Sequence, residues 1–385
     1  MAAGPLPDGH AVQTRPSALL CICACFSLVG VMTTLSGVLV PWLAARYSMP
    51  ASTLAWLFPA QFCCGAAGVI SSGVIIRRWG LRAALALGYA LLAAGAALFA
   101  PAAWPGMLAG VCLYGMGVGL VNPSSNLAAG TLSRRGPVMV NALNFCWGTE
   151  AVAGPAVLPL LLARYGAAAI ARILAPLSAA ALVGMLLAVP RGPAGGGRAG
   201  CQRDFTGAIL SGATLFFYVG TETTIAGWTP LYAMRSLGVN VREAGLALSL
   251  IWGSLLAGRA SGPFLVSRAG IDRMLRANLA LLAAGISIIA LAPSLPVLML
   301  GCVVSGLGLA TIFPNVVAAY TVSGGRNLPV VFLMASGGGA TLPWVAGRLV
   351  SATGHPLAAL APAAVACIMM AATWAKLRRR WAGNV

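Results

Sequence analysis

The sequence predicts an all-α membrane protein of twelve transmembrane helices, built as two parallel repeats of six. Three observations lead there. Of the 385 residues, 59% are hydrophobic and 8% are charged, whereas a soluble domain carries roughly 25% charged residues. A chain this apolar could not cover its surface in water, so lipid must solvate most of it. The apolar residues fall into twelve stretches, each near the ~20 residues that a helix needs to cross the hydrocarbon core. The two halves also carry matching motifs at nearly one spacing.

In order, the spans read as 18–42, 52–76, 82–101, 103–127, 137–162 and 167–189, then 206–234, 243–266, 272–293, 296–320, 328–352 and 356–377. The first apolar run, Ser17 to Trp42, is too long for a signal-peptide core and reads as an uncleaved span. Between the sixth and seventh spans lies RGPAGGGRAGCQRD, Gly-rich and basic as a flexible linker should be. The chain therefore divides into a bundle over 1–189, a cytoplasmic linker over 190–205 and a second bundle over 206–385.

Charge sets the orientation. With the N-terminus inside, 17 basic residues fall on the cytoplasmic side and 6 on the other, Arg259 lying within a span. This bias places both termini in the cytoplasm and requires an even number of spans. Lys376 is the lone lysine beside heavy Ala, Gly and Arg use, a composition that points to a GC-rich bacterial genome and hence to the inner membrane.

The repeat is specific. YGMGVGLVNP in span four matches SGLGLATIFP in span ten, pairing Gly115, Gly117 and Pro123 with Gly306, Gly308 and Pro314. RRWG after span two matches SRAG after span eight, pairing Arg78 and Gly80 with Arg268 and Gly270. Each glycine alone is explained by close helix packing; the shared offset of 190 to 191 residues marks a duplicated six-helix unit.

Several function classes are excluded. The net charge of +18 comes from arginines between apolar runs, not from a solvated basic face of the kind that binds nucleic acid. The ten cysteines form no CxxC pair and the histidines are only His10 and His355, so a structural zinc site is not expected. No Gly-rich loop is followed by Lys and no HExxH occurs, which removes P-loop and zinc-protease chemistry. The reading is a transporter without cofactor, acting on a small-molecule substrate within the bilayer.

Of six acids, Asp8, Asp204, Glu243 and Asp272 lie in loops or at span ends, and Glu150 and Glu222 lie mid-span. A charge at the bilayer centre costs on the order of 3 kcal/mol or more and usually faces an interior cavity. Taking a carboxylate out of water penalises its charged form, so both glutamates are candidates for proton coupling; the alternative is a buried Glu bonded to a neighbouring helix or paired with Arg. Around Glu222 stand Tyr218, Thr221, Trp228, Thr229 and Tyr232. Rings beside hydrogen-bonding groups suit a sugar, although an interfacial aromatic belt also accounts for Tyr232 and Trp228. Gly220, Gly227 and Pro230 are expected to interrupt this span, as broken helices line transporter sites. In span five Asn141, Asn144, Trp147 and Glu150 recur every third residue, a row that drifts around the helix. Gln61, Asn122, Asn126 and Asn315 are further polar candidates, with helix–helix bonding as the alternative.

These motifs resemble the major facilitator superfamily, whose loop between spans two and three reads G-x-x-x-D-R-x-G-R/K-R/K. Here Gly73, Arg78, Gly80 and Arg82 stand in GVIIRRWGLR, with Arg77 at the acidic position, so the gate that the acid serves in the family must use another contact. Arg259, nine residues before Arg268 in GRASGPFLVSR, is similar to the family's second-half arginine, which implies a role in closing that cytoplasmic gate. NALNFCWGTEAVAGP, YVGTETTIAGWTPLY and GGGATLPWVAG resemble the fucose–galactose–glucose:proton symporter branch. The resemblance implies alternating access with proton coupling, in a monomer. Spans one and four carry no acid, unlike the fucose permease, so coupling must rest on other carboxylates. Two readings of direction stay open: uptake of a sugar or similar polar solute, and efflux of a metabolite or drug.

Overall fold

A computed structural model describes residues 16–131, 136–190, 205–323 and 327–382, and among these there is no strand. The first group of helices comprises α1 (Pro16–Tyr47), a single turn α2 (Ala51–Leu54), α3 (Leu57–Ala97), α4 (Trp104–Thr131), α5 (Gly136–Tyr165) and α6 (Ala168–Ala188). The second comprises α7 (Phe205–Leu237), α8 (Val241–Ala269), α9 (Ile271–Ala290), α10 (Leu295–Leu309), α11 (Ile312–Val322), α12 (Leu328–Thr353) and, after a 3-10 turn over Pro356–Leu360, α13 (Ala361–Ala382). The expected linker lies outside the described residues apart from its ends, as do Arg134, Arg135 and Arg326.

Ten described helices are long and apolar enough to cross a membrane. One of them, running through α3 to Ala97, bends at Gly80 and is long enough for two crossings. Helix α7, with 33 residues, is also long enough at 1.5 Å per residue. The arrangement is consistent with twelve crossings.

The two glycine turns are equivalent. Gly80 has φ 83° and ψ 171° and Gly270 φ 78° and ψ 157°, a region open almost only to glycine. Packing repeats as well. A β-carbon on Gly117 would lie 2.7 Å from the Gly88 carbonyl oxygen and 3.0 Å from Leu92, while one on Gly308 would lie 2.5 Å from the Leu282 nitrogen and 3.0 Å from the Asn278 carbonyl oxygen. Gly88 and Asn278, like Leu92 and Leu282, are 190 residues apart. The motif glycines are thus the points where the fourth and tenth spans press on their neighbours in each half.

Two acids outside the spans serve the frame. Glu243 forms a capping box with Asn240 at the start of α8, which satisfies free N–H groups of the first turn. Asp272 receives Arg276 at 3.0 Å, Arg378 at 3.3 Å and the Trp374 indole N–H at 3.2 Å, fastening α13 to α9.

The helix break is in a different place from the one expected. Helix α7 runs unbroken through Gly220, Gly227 and Pro230, because its glycines are filled by neighbours: a β-carbon on Gly220 would strike Leu342 and one on Gly227 would strike Phe58. The tenth span instead parts at Ala310 and Thr311, between α10 and α11. A break inside a membrane frees carbonyls that need partners. Asn278 donates to the Leu307 and Gly308 carbonyls at 3.1 and 2.8 Å, and Thr311 donates to the Asn278 amide oxygen at 3.0 Å. Arg259 donates to the Ala310 carbonyl at 3.3 Å.

Candidate functional site

The two groups of helices meet through α1 with α7, α5 with α8, and α2 and α3 with α12. Their contact is tight at the end away from the Gly80 and Gly270 turns. There the Ser52 N–H donates to Ser351 Oγ at 2.7 Å, Trp56 meets Trp344 edge-on at 5.8 Å, and Phe58 lies 6.1 Å from Trp228. A β-carbon on Gly37 would sit 3.0 Å from the Ala226 carbonyl oxygen, and one on Gly347 would sit 2.6 Å from Ala55. Small residues let the backbones close here without a gap.

Below this seal lies a cavity of about 1180 Å³ between the halves. Its wall extends to Asn122, Asn144, Pro263 and Ala318, all exposed, so it opens at the end that carries the arginine-rich turns. Phe58, Phe62, Phe145, Trp147, Trp252 and Phe313 give the wall an aromatic character. Trp147 of α5 and Trp252 of α8 cross edge to face at 5.7 Å, joining the halves on one side.

The polar centre is on α7 and α8. Tyr218 and Glu222, one turn apart, face the cavity. The Tyr218 hydroxyl donates to Glu222 Oε1 at 3.0 Å and accepts from Arg259 Nη2 at 3.3 Å; Arg259 Nη2 is 3.9 Å from Glu222 Oε1. The Arg259 and Glu222 side chains are 32% and 12% exposed, so the pair is reachable from the cavity yet shielded from bulk water. Arg259 and Glu222 are the charged residues of the cavity wall among the described residues. Arg259, on α8 ten residues before its end, is in the cavity wall and bonded to the carbonyl of Ala310 at the α10–α11 break.

The other expected residues divide. Trp147, Asn144 and Gln61 line the cavity. Gln61 is already engaged: its amide donates to the Thr33 carbonyl at 3.1 Å and its oxygen accepts from Ser36 at 2.6 Å, with Tyr114 closing the cluster 2.9 Å from Ser36. Asn144 bonds to Asn126, and Asn126 to Asn122, forming an amide chain on the rim. The side chain of Asn141 lies outside the described residues.

Thr221 and Trp228 are turned away from the cavity. Both are fully buried; the Trp228 N–H donates to the Pro343 carbonyl of α12 at 2.8 Å, and Gly347 of α12 packs against its ring. Trp228 fastens α7 to α12, and a helix with large neighbours on both sides can show the cavity only one narrow face. Glu150 is half-buried and off the cavity wall, beside Gly30 of α1, with no hydrogen bond or ion pair among the described residues.

The gate turns carry exposed arginines. Arg77 and Arg78 are exposed, Arg82 is half-buried, and none makes an ion pair among the described residues; Gly73 packs near Arg77. Arg268 lies over the Phe264 ring at 3.9 Å. Sequence reasoning missed Asn278, Phe62 and Trp252; a single Asn inside the apolar stretch of α9 was the available signal for the first.

The family model described as Major Facilitator Superfamily matches residues 20–328. The chain belongs to this superfamily. It is a multi-pass membrane protein of a transporter family, with a small molecule as its substrate. Among curated proteins none matches it in sequence. Among solved structures it is similar to a mutant form of the nucleoside transporter NupG, with a TM-score of 0.78 at 13% identity over 93% of this chain and 99% of that one. It is similar to a D-xylose–proton symporter, with a TM-score of 0.73 at 14% identity over 92% and 96%. It is also similar to a variant of the E. coli fucose:proton symporter FucP, with a TM-score of 0.62 at 20% identity over 94% and 99%. These likenesses establish the fold.

Proposed function

We propose that this superfamily member is a secondary active transporter that moves a small polar solute, a sugar or similar metabolite, by proton-coupled alternating access. The observation that carries the reading is Glu222, a carboxylate on the wall of a cavity sealed at one end, bonded to Tyr218 and 3.9 Å from Arg259. Such a group can take a proton from the open side and give it up once the halves rock and the other side opens. Trp147 and Asn144 offer a ring and an amide to a polar body, with Tyr218 and Gln61 behind them in the wall. Similarity to proteins named as nucleoside, xylose and fucose transporters supports a polar solute of that size.

In this reading the six-helix bundles over 1–189 and 206–385 are the rocking bodies. The termini and arginine-rich turns are cytoplasmic in the cell inner membrane, and the cavity faces inward in this state. The protein works as a monomer. Glu150, off the cavity wall, has at most a supporting part in coupling. A second reading, efflux of an amphipathic metabolite or drug, is favoured by the aromatic lining and by the absence of acids from the first and fourth spans.

Purified protein in liposomes containing a pH dye tests both. Internal acidification when one of a panel of sugars and small metabolites is added outside, absent in Glu222→Gln, supports the first. Alkalinisation of preacidified liposomes by an amphipathic compound, with no response to any polar solute, supports the second.

A further inference from the structure

Arg259, in the cavity wall, has donors that the protein leaves unused, and these bear on what the solute carries. Arg259 presents two hydrogen-bonding edges. Its Nε–H goes to the Ala310 carbonyl and one Nη2–H goes to the Tyr218 hydroxyl, which occupies the side edge of the guanidinium. The end edge, formed by Nη1 and the second Nη2–H, has no hydrogen-bond partner among the described residues. Glu222 does not take it: its oxygen is 3.9 Å from Nη2, beyond hydrogen-bond range. A guanidinium end edge left open beside a cavity matches the two oxygens of a carboxylate.

Resting on the transport reading above, we infer that the transported solute is a small organic carboxylate, bound through its two oxygens by the end edge of Arg259. Charge balance then dictates the coupling. Empty, the site holds Glu222 as carboxylate and Arg259 as cation and is neutral. Loaded, it holds one proton on Glu222 and one carboxylate on Arg259 and is again neutral. With the anion alone or the proton alone, one net charge remains in a low-dielectric site, where an uncompensated charge is strongly disfavoured. Only the empty and fully loaded forms can close, so one proton and one carboxylate cross together and no net charge moves.

The groups facing Glu222 are compatible with this balance. On its own helix it meets Tyr218, and from α8 it meets Arg259. The charged residues of the other elements packed on α7 stand toward helix ends: Arg46 on α1, Arg348 on α12 and the Lys376 to Arg380 cluster on α13. The nearby wall of α1 and α11 contributes Thr33, Thr34, Phe313 and Asn315, which do not titrate. Cys146 on the α5 wall is the remaining titratable side chain of the lining.

The test uses the whole chain with the monocarboxylates gluconate, glucuronate and lactate, set against neutral glucose, xylose and glycerol. In detergent, a carboxylate should protect the protein from thermal unfolding with an apparent affinity about tenfold tighter near pH 5.5 than near pH 8, one charge-assisted contact being worth about that factor. Glu222→Gln should bind it equally at both pH values, and Arg259→Gln should not bind it. Should Arg259→Gln fail to fold, Arg259→Lys keeps the charge but not the forked end edge: it should melt near wild type yet bind the carboxylate about tenfold more weakly, and wild-type binding in Arg259→Lys would overturn the inference. In liposomes, the same carboxylate should acidify the interior at a rate unaffected by a potassium–valinomycin potential. Acidification by a neutral sugar, faster with a negative interior and with every carboxylate inert, would overturn this inference and leave proton-coupled transport standing. No proton movement with either class would overturn both.

Discussion

The hydroxyl of Tyr218 donates to the carboxylate of Glu222 across 3.0 Å, one turn apart on α7. The same hydroxyl accepts from Arg259, so it is the hinge between acid and base. Tyr218→Phe removes this link and keeps the ring, whose contact with Phe313 at 5.8 Å remains. A bond to a charged group is worth ~1.5–3 kcal/mol. Proton-driven uptake by Tyr218→Phe in liposomes should therefore fall about tenfold or more, with the thermal midpoint lowered by only a few degrees.

Arg259 and Glu222 should behave as one unit in stability. Arg259→Gln strands a shielded carboxylate, a loss on the order of 1–3 kcal/mol once the partial exposure of the pair is allowed for. Adding Glu222→Gln removes the stranded charge. In a double-mutant cycle read by thermal unfolding, the double variant should melt higher than Arg259→Gln alone. Equal or additive losses would mean that the two groups are not coupled.

The glycine turns offer a test of the internal repeat. Gly80→Ala and Gly270→Ala each force a non-glycine residue into a region that costs roughly 1–3 kcal/mol. A β-carbon at Gly270 would meet no atom within 4 Å, so strain and not crowding is the cause there. Similar drops in the thermal midpoints of the two variants would fit equivalent turns; a large loss at one only would not.

Gln61 ties α3 to α1 through the Thr33 carbonyl and Ser36. Gln61→Leu removes both bonds while Ser36 keeps Tyr114 at 2.9 Å, a loss on the order of 1 kcal/mol. The expected result is a lower thermal midpoint together with weaker transport. Unchanged stability with lost binding would instead make Gln61 a pure substrate contact.

Much of this was legible in the chain. Apolar length gave the spans, and the glycines at an offset of 190 to 191 marked the repeat that Gly117 and Gly308 embody in packing. A mid-span carboxylate pointed to Glu222. What the sequence could not show was direction around a helix. Trp228 and Thr221 are close to Glu222 along α7, yet both are buried off the cavity wall and Trp228 faces α12, since partners across the bundle decide which side is wall and which is core. The expected break in α7 failed for the same reason: its glycines admit Leu342 and Phe58 side chains and do not weaken the helix. The true break, at Ala310, depends on Asn278 and Arg259 arriving from other helices to cap its carbonyls. A lone Asn in the apolar stretch of α9 signals a buried polar contact, but not which break it serves.

The central claim is that one proton, held by Glu222, drives the cycle. It is tested most directly by comparing wild type and Glu222→Gln in liposomes for two activities: exchange of labelled for unlabelled solute at equal pH, and accumulation driven by a pH gradient. The account predicts that Glu222→Gln keeps exchange and loses accumulation, because a neutral side chain mimics the loaded state permanently. Accumulation at the wild-type level in Glu222→Gln would contradict it.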